Sequence, residues 1–366
     1  MSATTPVEIR FLSQEAAVEA GAVDMDRCVE TIADAFDLYD QGRVVMGDAG
    51  QHMHGHVTTF PSELAEAEGL EPGPDRRFSA MPAYVGGDVN KAGIKWYGSN
   101  VNNPSKRGLP RSIHTITLND PNSARPVCIM DGQVVSAMRT GAMAGVGTAF
   151  VQGDRAETAT IFGPGVIGQT SALGLDAALD SLETVQIFHP ELSKAAAFES
   201  AMADDLDADV EPTDDAEAAV RSADVTVVAA SGSPPPKIDG EWLGDDSLVI
   251  PFGDLRVPLD AFDEDRIFCD IRQNALEFAD QVDWQVMNAL QDAVNRGDLE
   301  ESDLRTLHEL VGGSDVGPTD GTSVFYSPGL PMEDVAWASE VYENAEAADI
   351  GETLPLFSEP YFGKPY

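Results

Sequence analysis

The run Thr158 to Gly168, reading Thr-Ala-Thr-Ile-Phe-Gly-Pro-Gly-Val-Ile-Gly, constrains this chain more than any other stretch. A β-rich apolar segment, Thr160 to Phe162, ends in a glycine turn, and a helical pattern from Gln169 to Leu179 begins at once. Strand, Gly-x-Gly-x-x-Gly and helix in that order are the fingerprint of a dinucleotide-binding βαβ unit. Gly163 permits a sharp turn. Gly165 offers a diphosphate a backbone without a Cβ, and Gly168 lets the helix pack close to the strand. Pro164, Val166 and Ile167 complete the cofactor loop, and the helix N-terminus faces the anion. The alternative is an ordinary strand-to-helix turn that is rich in glycine.

The segments that follow fit the same logic. Strands are expected near 158–162, 184–188, 208–211, 224–230 and 247–251, with helices between them. Such alternation argues for a parallel sheet, whose ligands bind beyond the carboxyl ends of the strands. His189 ends the second strand, where an acid commonly reads the ribose hydroxyls some 20 residues after the glycines. No acid stands there. Glu191 is the nearest substitute, whereas Ser193 and Lys194 suit a 2′-phosphate, so the cofactor is NAD or NADP. Ser231 opens a rigid Ser-Gly-Ser-Pro-Pro-Pro loop at the same sheet edge and joins the cofactor candidates.

Upstream, residues 14–40 repeat apolar side chains at helical spacing (Ala17, Ala22, Met25, Val29, Ile32, Phe36), and Gly42 supplies a stop. Residues 43–60 are strand-like and rich in histidine, and 62–77 read as a surface loop or insertion. Short strands recur at 78–85, 93–97, 112–118 and 126–130. This region is expected to be an antiparallel sheet with one long helix. The small-residue segment from Arg139 to Val151 is expected to be a helix linking two domains, and another helix, Met332 to Ala347, closes the chain.

The formal net charge is −41, from 63 acids against 22 Lys and Arg. The acids are dispersed, and only six of the cations are lysines. Such a surface suits high salt, where screening removes self-repulsion, or belongs to a merely acidic enzyme. It repels phosphate backbones and so argues against nucleic acid as a partner. Cys28, Cys128 and Cys269 follow no metal or redox spacing, which suits a reduced, cytoplasmic protein. No apolar run reads as long enough to cross a membrane, and no signal segment is legible.

Several residues are candidates for chemistry. Lys95 sits in an apolar, aromatic strand (Gly93-Ile94-Lys95-Trp96-Tyr97), where an ammonium is costly unless paired. It either holds a substrate carboxylate or snorkels from an exposed face. Arg139 is the only charge in a long apolar stretch and can clamp a carboxylate with two prongs or form a structural ion pair. Asp254 follows a strand in Pro251-Phe252-Gly253-Asp254, at the sheet edge where a catalytic carboxylate would meet a nicotinamide. The alternative there is an aspartate capping the next element. His52, His54 and His56 alternate and on a strand would share one face. They could hold zinc or copper, line a polar pocket or simply lie on the surface, and no metal is expected.

Taken in order, these pieces resemble the ornithine cyclodeaminase/mu-crystallin family. The matching motifs are Met81-Pro82, the Lys95 strand with Asn100 and Asn103, Leu118-Asn119-Asp120-Pro121, Met138-Arg139-Thr140, the glycine loop, Phe252-Gly253-Asp254, and Ser327-Pro328-Gly329 with Glu333-Asp334. The run KWYGSN…RGLPRS also looks like a group of sequences named for the smaller component of tyramine oxidase. The family resemblance implies an α/β protein. A central Rossmann domain with a parallel sheet (139–324) joins an α+β substrate-binding and dimerisation domain made from both chain ends (1–138 and 325–366). It further implies a homodimeric NAD(P)-dependent oxidoreductase acting at a C–N bond of an amino acid, imine or amine. Lys95 and Arg139 would grip the carboxylate, Lys95 would touch the reacting nitrogen, and Asp254 would be the acid/base. The family's amino-acid binders carry another arginine on the strand before Met-Pro. Here that region reads His52-Met53-His54-Gly55-His56 and then an insertion, which leaves His56, Arg76 or Arg77 as a replacement anchor. The departure keeps open a second reading, a non-catalytic nucleotide-dependent binding protein or an accessory component of an amine (tyramine) oxidase.

Overall fold

Along β4 (Arg77–Val85) side chains alternate: Ser79, Met81, Ala83 and Val85 are buried, while Phe78 and Pro82 face outward. This period of two commits one face of a sheet to the interior. In the computed structural model, residues 6–47, 53–70, 76–232, 234–281, 284–314, 321–359 and 361 are described. They cluster into two units. The first comprises Met1–Asp24, Gly42–Ser136 and Leu330–Tyr366, and the second Met25–Gln41 and Ala137–Gly329.

The first unit is built on β1 (Val7–Leu12), β2 (Val44–Met46), β3 (His56–Thr59), β4, β5 (Lys91–Ser99), β6 (Ser112–Asn119) and β7 (Pro126–Asp131), with a last strand at Glu352–Phe357. The sheet runs from that last strand through β1, β7, β6, β5 and β4 to β2, and β3 also pairs with β4. All pairs are antiparallel except β1 with β7. In register, Met81 on β4, Lys95 on β5 and Ile116 on β6 lie side by side. The helix Pro331–Ala348 covers β4, β5 and β6 with fully buried Val335 and Trp337, and the indole Nε1 donates to the Ala22 carbonyl at 3.3 Å. A Cβ at Gly93 would meet Val335 Cγ2 at 3.1 Å, so the missing side chain lets this helix sit down on the sheet.

Three expectations change here. The helical run of residues 14–40 is two helices, Gln14–Glu19 and Met25–Asp40, because Gly21 adopts φ +92° between them. The second helix packs on Val166–Ala178 and Leu307–Val311 of the second unit and clusters there. The stretch after Pro61 is not all loop: Ser62–Ala67 is helical, with Ala65 buried, and residues 71–75 lie outside the described set.

The second unit carries β8 (Thr158–Phe162), β9 (Thr184–Phe188), β10 (Asp209–Thr213), β11 (Val225–Val228), β12 (Leu248–Pro251), β13 (Ile267–Cys269), β14 (Arg305–Thr306) and β15 (Ser323–Tyr326). The order is β10-β9-β8-β11-β12-β15-β13-β14, with every pair parallel. The chain winds outward from β8 in one direction and from β11 in the other, which puts a topological switch point between them. β11 and β12 are buried at every position, as strands covered on both faces must be.

The small-residue segment is the helix Gln133–Gln152. Contrary to the sequence expectation, its 20 residues and hydropathy of 1.3 do meet the length and composition needed to cross a bilayer, but most of it is buried inside the protein. Its glycines explain the burial. A Cβ at Gly141 would strike the Thr170 backbone, and one at Gly145 the Gly174 carbonyl, so this helix meets the helix Val166–Ala178 backbone to backbone.

Candidate functional site

The glycine loop leaves β8 at the switch point. Gly163 has φ +111°, a conformation that side chains rarely adopt, and a Cβ there would lie 3.0 Å from Ala230 backbone atoms. A Cβ on Gly168 would overlap the Gly163 carbonyl. Gly165 differs: a Cβ built on it meets nothing within 4 Å, so its Cβ side is open. Gly165 is also the N-cap of the 13-residue helix Val166–Ala178, with no side chain capping it and no acid in the first turn. Val166 is exposed. Uncapped N–H groups, the positive end of a helix dipole and open space together fit a diphosphate.

Around this loop, His189 follows β9 and its Nδ1 faces the Glu191 amide at 2.9 Å. Glu191 and Lys194 pair with each other at 2.8 Å on the surface. The Lys194 hydrogen bond and charge hold the Glu191 carboxyl below its usual range. Ser231 follows β11 and is exposed, while Ser233 lies outside the described residues.

Beside the glycine loop is a cavity of about 170 Å³ whose lining includes Arg139, Thr140, Ile167, Phe252, Trp284 and Ser327. Arg139 is 7% exposed. Its guanidinium lies against Gly329 (φ +92°), where any Cβ would overlap Nη1, so that glycine makes room for the arginine. Ser327 is 6% exposed, and its hydroxyl has no hydrogen-bond partner among the described residues. Apolar walls with a few polar groups, one of them unsatisfied, are what a small planar ligand requires.

Asp254 stands two residues beyond Phe252 and outside the lining of this cavity. One carboxylate oxygen, Oδ1, accepts from the backbone amides of Leu255 (2.9 Å), Gln285 (2.7 Å) and Val286 (3.5 Å). The residue therefore caps the helix Gln285–Arg296, whose N-cap Trp284 lines the cavity. No bond engages its Oδ2 among the described residues.

In the first unit, Lys95 is 2% exposed, so it does not snorkel. Its Nζ lies 2.6 Å from Asp334 Oδ2, donates to Ser136 Oγ at 3.1 Å and sits 5.6 Å over the Tyr97 ring. Asp334 is fully buried on the helix Pro331–Ala348. Arg77 shares this inner sheet face, being paired with Ser99 as Met81 is with Lys95. The Tyr97 and His114 rings approach to 4.9 Å on it.

The histidines do not form the expected strand face. His54 is buried in a turn, Gly55 turns the chain at φ +106°, and His56 begins β3 exposed; His52 lies outside the described residues. Among the described residues no group of three His, Cys, Asp or Glu could hold a metal. Sequence reasoning assigned no role to Asp334, Ser136, Trp284 or Ser327. An acid in the apolar run Met332 to Trp337 was the available signal for Asp334.

A doubly wound parallel sheet with a glycine loop at its switch point, joined to a mostly antiparallel unit carrying a buried lysine, defines an α/β protein of Rossmann type. A profile of the ornithine cyclodeaminase/mu-crystallin family matches residues 22–349, and the chain belongs to that family. It is 28% identical over 290 residues to N-((2S)-2-amino-2-carboxyethyl)-L-glutamate dehydrogenase of Staphylococcus aureus, covering 77% of this chain and 82% of the relative. It is 27% identical to alanine dehydrogenase of Archaeoglobus fulgidus, over 96% of this chain and 99% of that one. Among solved structures, Thermococcus litoralis Delta(1)-pyrroline-2-carboxylate reductase, in complex with NADH and L-proline, superposes with a TM-score of 0.78 at 20% identity, covering 94% of this chain and 100% of the other.

Proposed function

We propose that this protein is an NAD(P)-dependent oxidoreductase acting at the C–N bond of a small amino acid or imine. The carrying observation is the open, uncapped loop at Gly165, next to a cavity that presents Arg139. The loop suits the diphosphate, and the cavity suits the nicotinamide, which supplies the hydride chemistry. The relatives act in this class by name: two are amino-acid dehydrogenases and one is a cyclic imine reductase.

The residues take these roles. Arg139, buried and charged, holds the substrate carboxylate with two parallel hydrogen bonds. Lys95, kept in place by Asp334 and Ser136, adds a second cation toward the carboxylate and the reacting nitrogen. Asp254, fixed through Oδ1, keeps Oδ2 to accept a proton from nitrogen as amine becomes imine and to return it in reverse. Arg77 stands in for the family's further arginine, and His189 and Ser231 border the cofactor. The protein works as a homodimer, which light scattering tests, and in the cytoplasm, where its three free cysteines stay reduced.

The test is a screen of amino acids and cyclic imines with NAD and NADP in molar salt, following nicotinamide absorbance. Turnover of at least one carboxylate-bearing amine or imine is expected. If neither cofactor binds and no compound turns over, the proposal fails.

A further inference from the structure

We propose that the Ser327 hydroxyl binds the carboxamide of the nicotinamide ring and so fixes which way the ring faces in the cavity. The inference rests on the nucleotide-binding reading above and extends it to a residue with no role there. Ser327 directly follows β15, which pairs with β12, and Phe252 directly follows β12. Two neighbouring parallel strands thus deliver a hydroxyl and an aromatic ring to the same carboxyl-end cavity. Ile167, from the first turn of the glycine-loop helix, lines that cavity too, so one ligand can span loop and cavity.

The size and lining select the group. The volume is about 170 Å³, and a cavity of roughly 150 Å³ accepts benzene. A single planar ring fits, whereas a whole dinucleotide does not. Ile167, Phe252 and Trp284 supply flat or apolar walls. Arg139 is the cation there and suits an anion. Ser327 Oγ is buried, uncharged and without a partner among the described residues, and it can both donate and accept. A neutral carboxamide offers one acceptor and two donors, which matches a lone hydroxyl better than a carboxylate does. Leaving a buried hydroxyl unbonded is unfavourable, so a ligand that satisfies it gains affinity.

The experiment compares two ligands that share the adenosine diphosphate and differ in the ring. The affinities of NADH, by its fluorescence, and of ADP-ribose, by competition, are measured for the full chain and for Ser327→Ala. The variant is expected to bind NADH about ten-fold more weakly while its ADP-ribose affinity stays within about two-fold. Unchanged NADH affinity, or equal weakening of both ligands, overturns the inference. If Ser327→Ala does not fold, Ser327→Cys, similar in shape but a weak hydrogen bonder, replaces it with the same expected outcomes. A wild-type chain that binds neither ligand overturns the nucleotide reading and this inference with it. Binding of both without discrimination by the variant removes Ser327 alone.

Discussion

Lys95 and Asp334 are separated by most of the chain, yet they form a buried pair at 2.6 Å with 2% and 0% side-chain exposure. Removing one member of such a pair leaves an uncompensated charge in the interior. Lys95→Met should therefore lower stability by about 3–5 kcal/mol in urea unfolding, and Lys95→Met with Asp334→Leu should recover most of it. Catalysis should be lost in both; a double variant that turns over would show that Lys95 serves the fold only. Asp254 calls for a different test, because its Oδ1 caps a helix. Asp254→Asn keeps an oxygen for the cap but cannot take a proton. Turnover should fall at least about a hundred-fold while melting temperature and NADH affinity stay near wild type; retained turnover would remove Asp254 from the chemistry. At this scale the sequence was half legible. A lysine among Ile94, Trp96 and Tyr97 announces a buried cation, but its partner is a contact across sequence that no spacing encodes. Asp254 shows the reverse limit: the capping and catalytic readings are both legible, and the geometry gives each oxygen a separate use.

Among the elements, the helix Val166–Ala178 was the most legible, because strand period, three glycines and helical period all agree there. The three glycines nevertheless do different work. Gly165→Ala should change stability by no more than about 1 kcal/mol, since φ is −81° and the Cβ meets only open space, yet it should weaken NADH binding by at least about ten-fold. Gly168→Ala should cost about 1–3 kcal/mol, because its Cβ overlaps the Gly163 carbonyl. Denaturant titrations and NADH fluorescence on both variants check the contrast; equal binding losses with equal stability losses would deny Gly165 a ligand role. Where elements were missed, local geometry overrode pattern. Gly21 and Gly55, both at positive φ, split one helical run and broke one histidine alternation. β1 and the strand Glu352–Phe357 are short edge elements with weak patterns, stabilised by pairing with each other across the chain.

At the scale of the whole molecule, 63 acids against 22 Lys and Arg make self-repulsion a standing cost at low salt. The Debye length falls from roughly 10 Å at 0.1 M to about 3 Å at 1 M salt, so raising potassium chloride over that range should raise the melting temperature steadily. A flat or falling curve would reject adaptation to salt. Division into an open-ended antiparallel unit and a doubly wound one was legible from the change of period along the chain. Residues 25–41 joining the second unit was not, because which partner an amphipathic helix chooses is a tertiary choice. The seam of Gly141, Gly145 and Gly174 has a consequence for how such an enzyme can change over generations. Arg139 rides on one of the two helices that meet there and the anion loop begins the other. With no side chains between them to act as shims, neither helix can be re-aimed alone. New specificities are then expected to arise from residues around the cavity rim, while the spacing from loop to guanidinium is inherited unchanged.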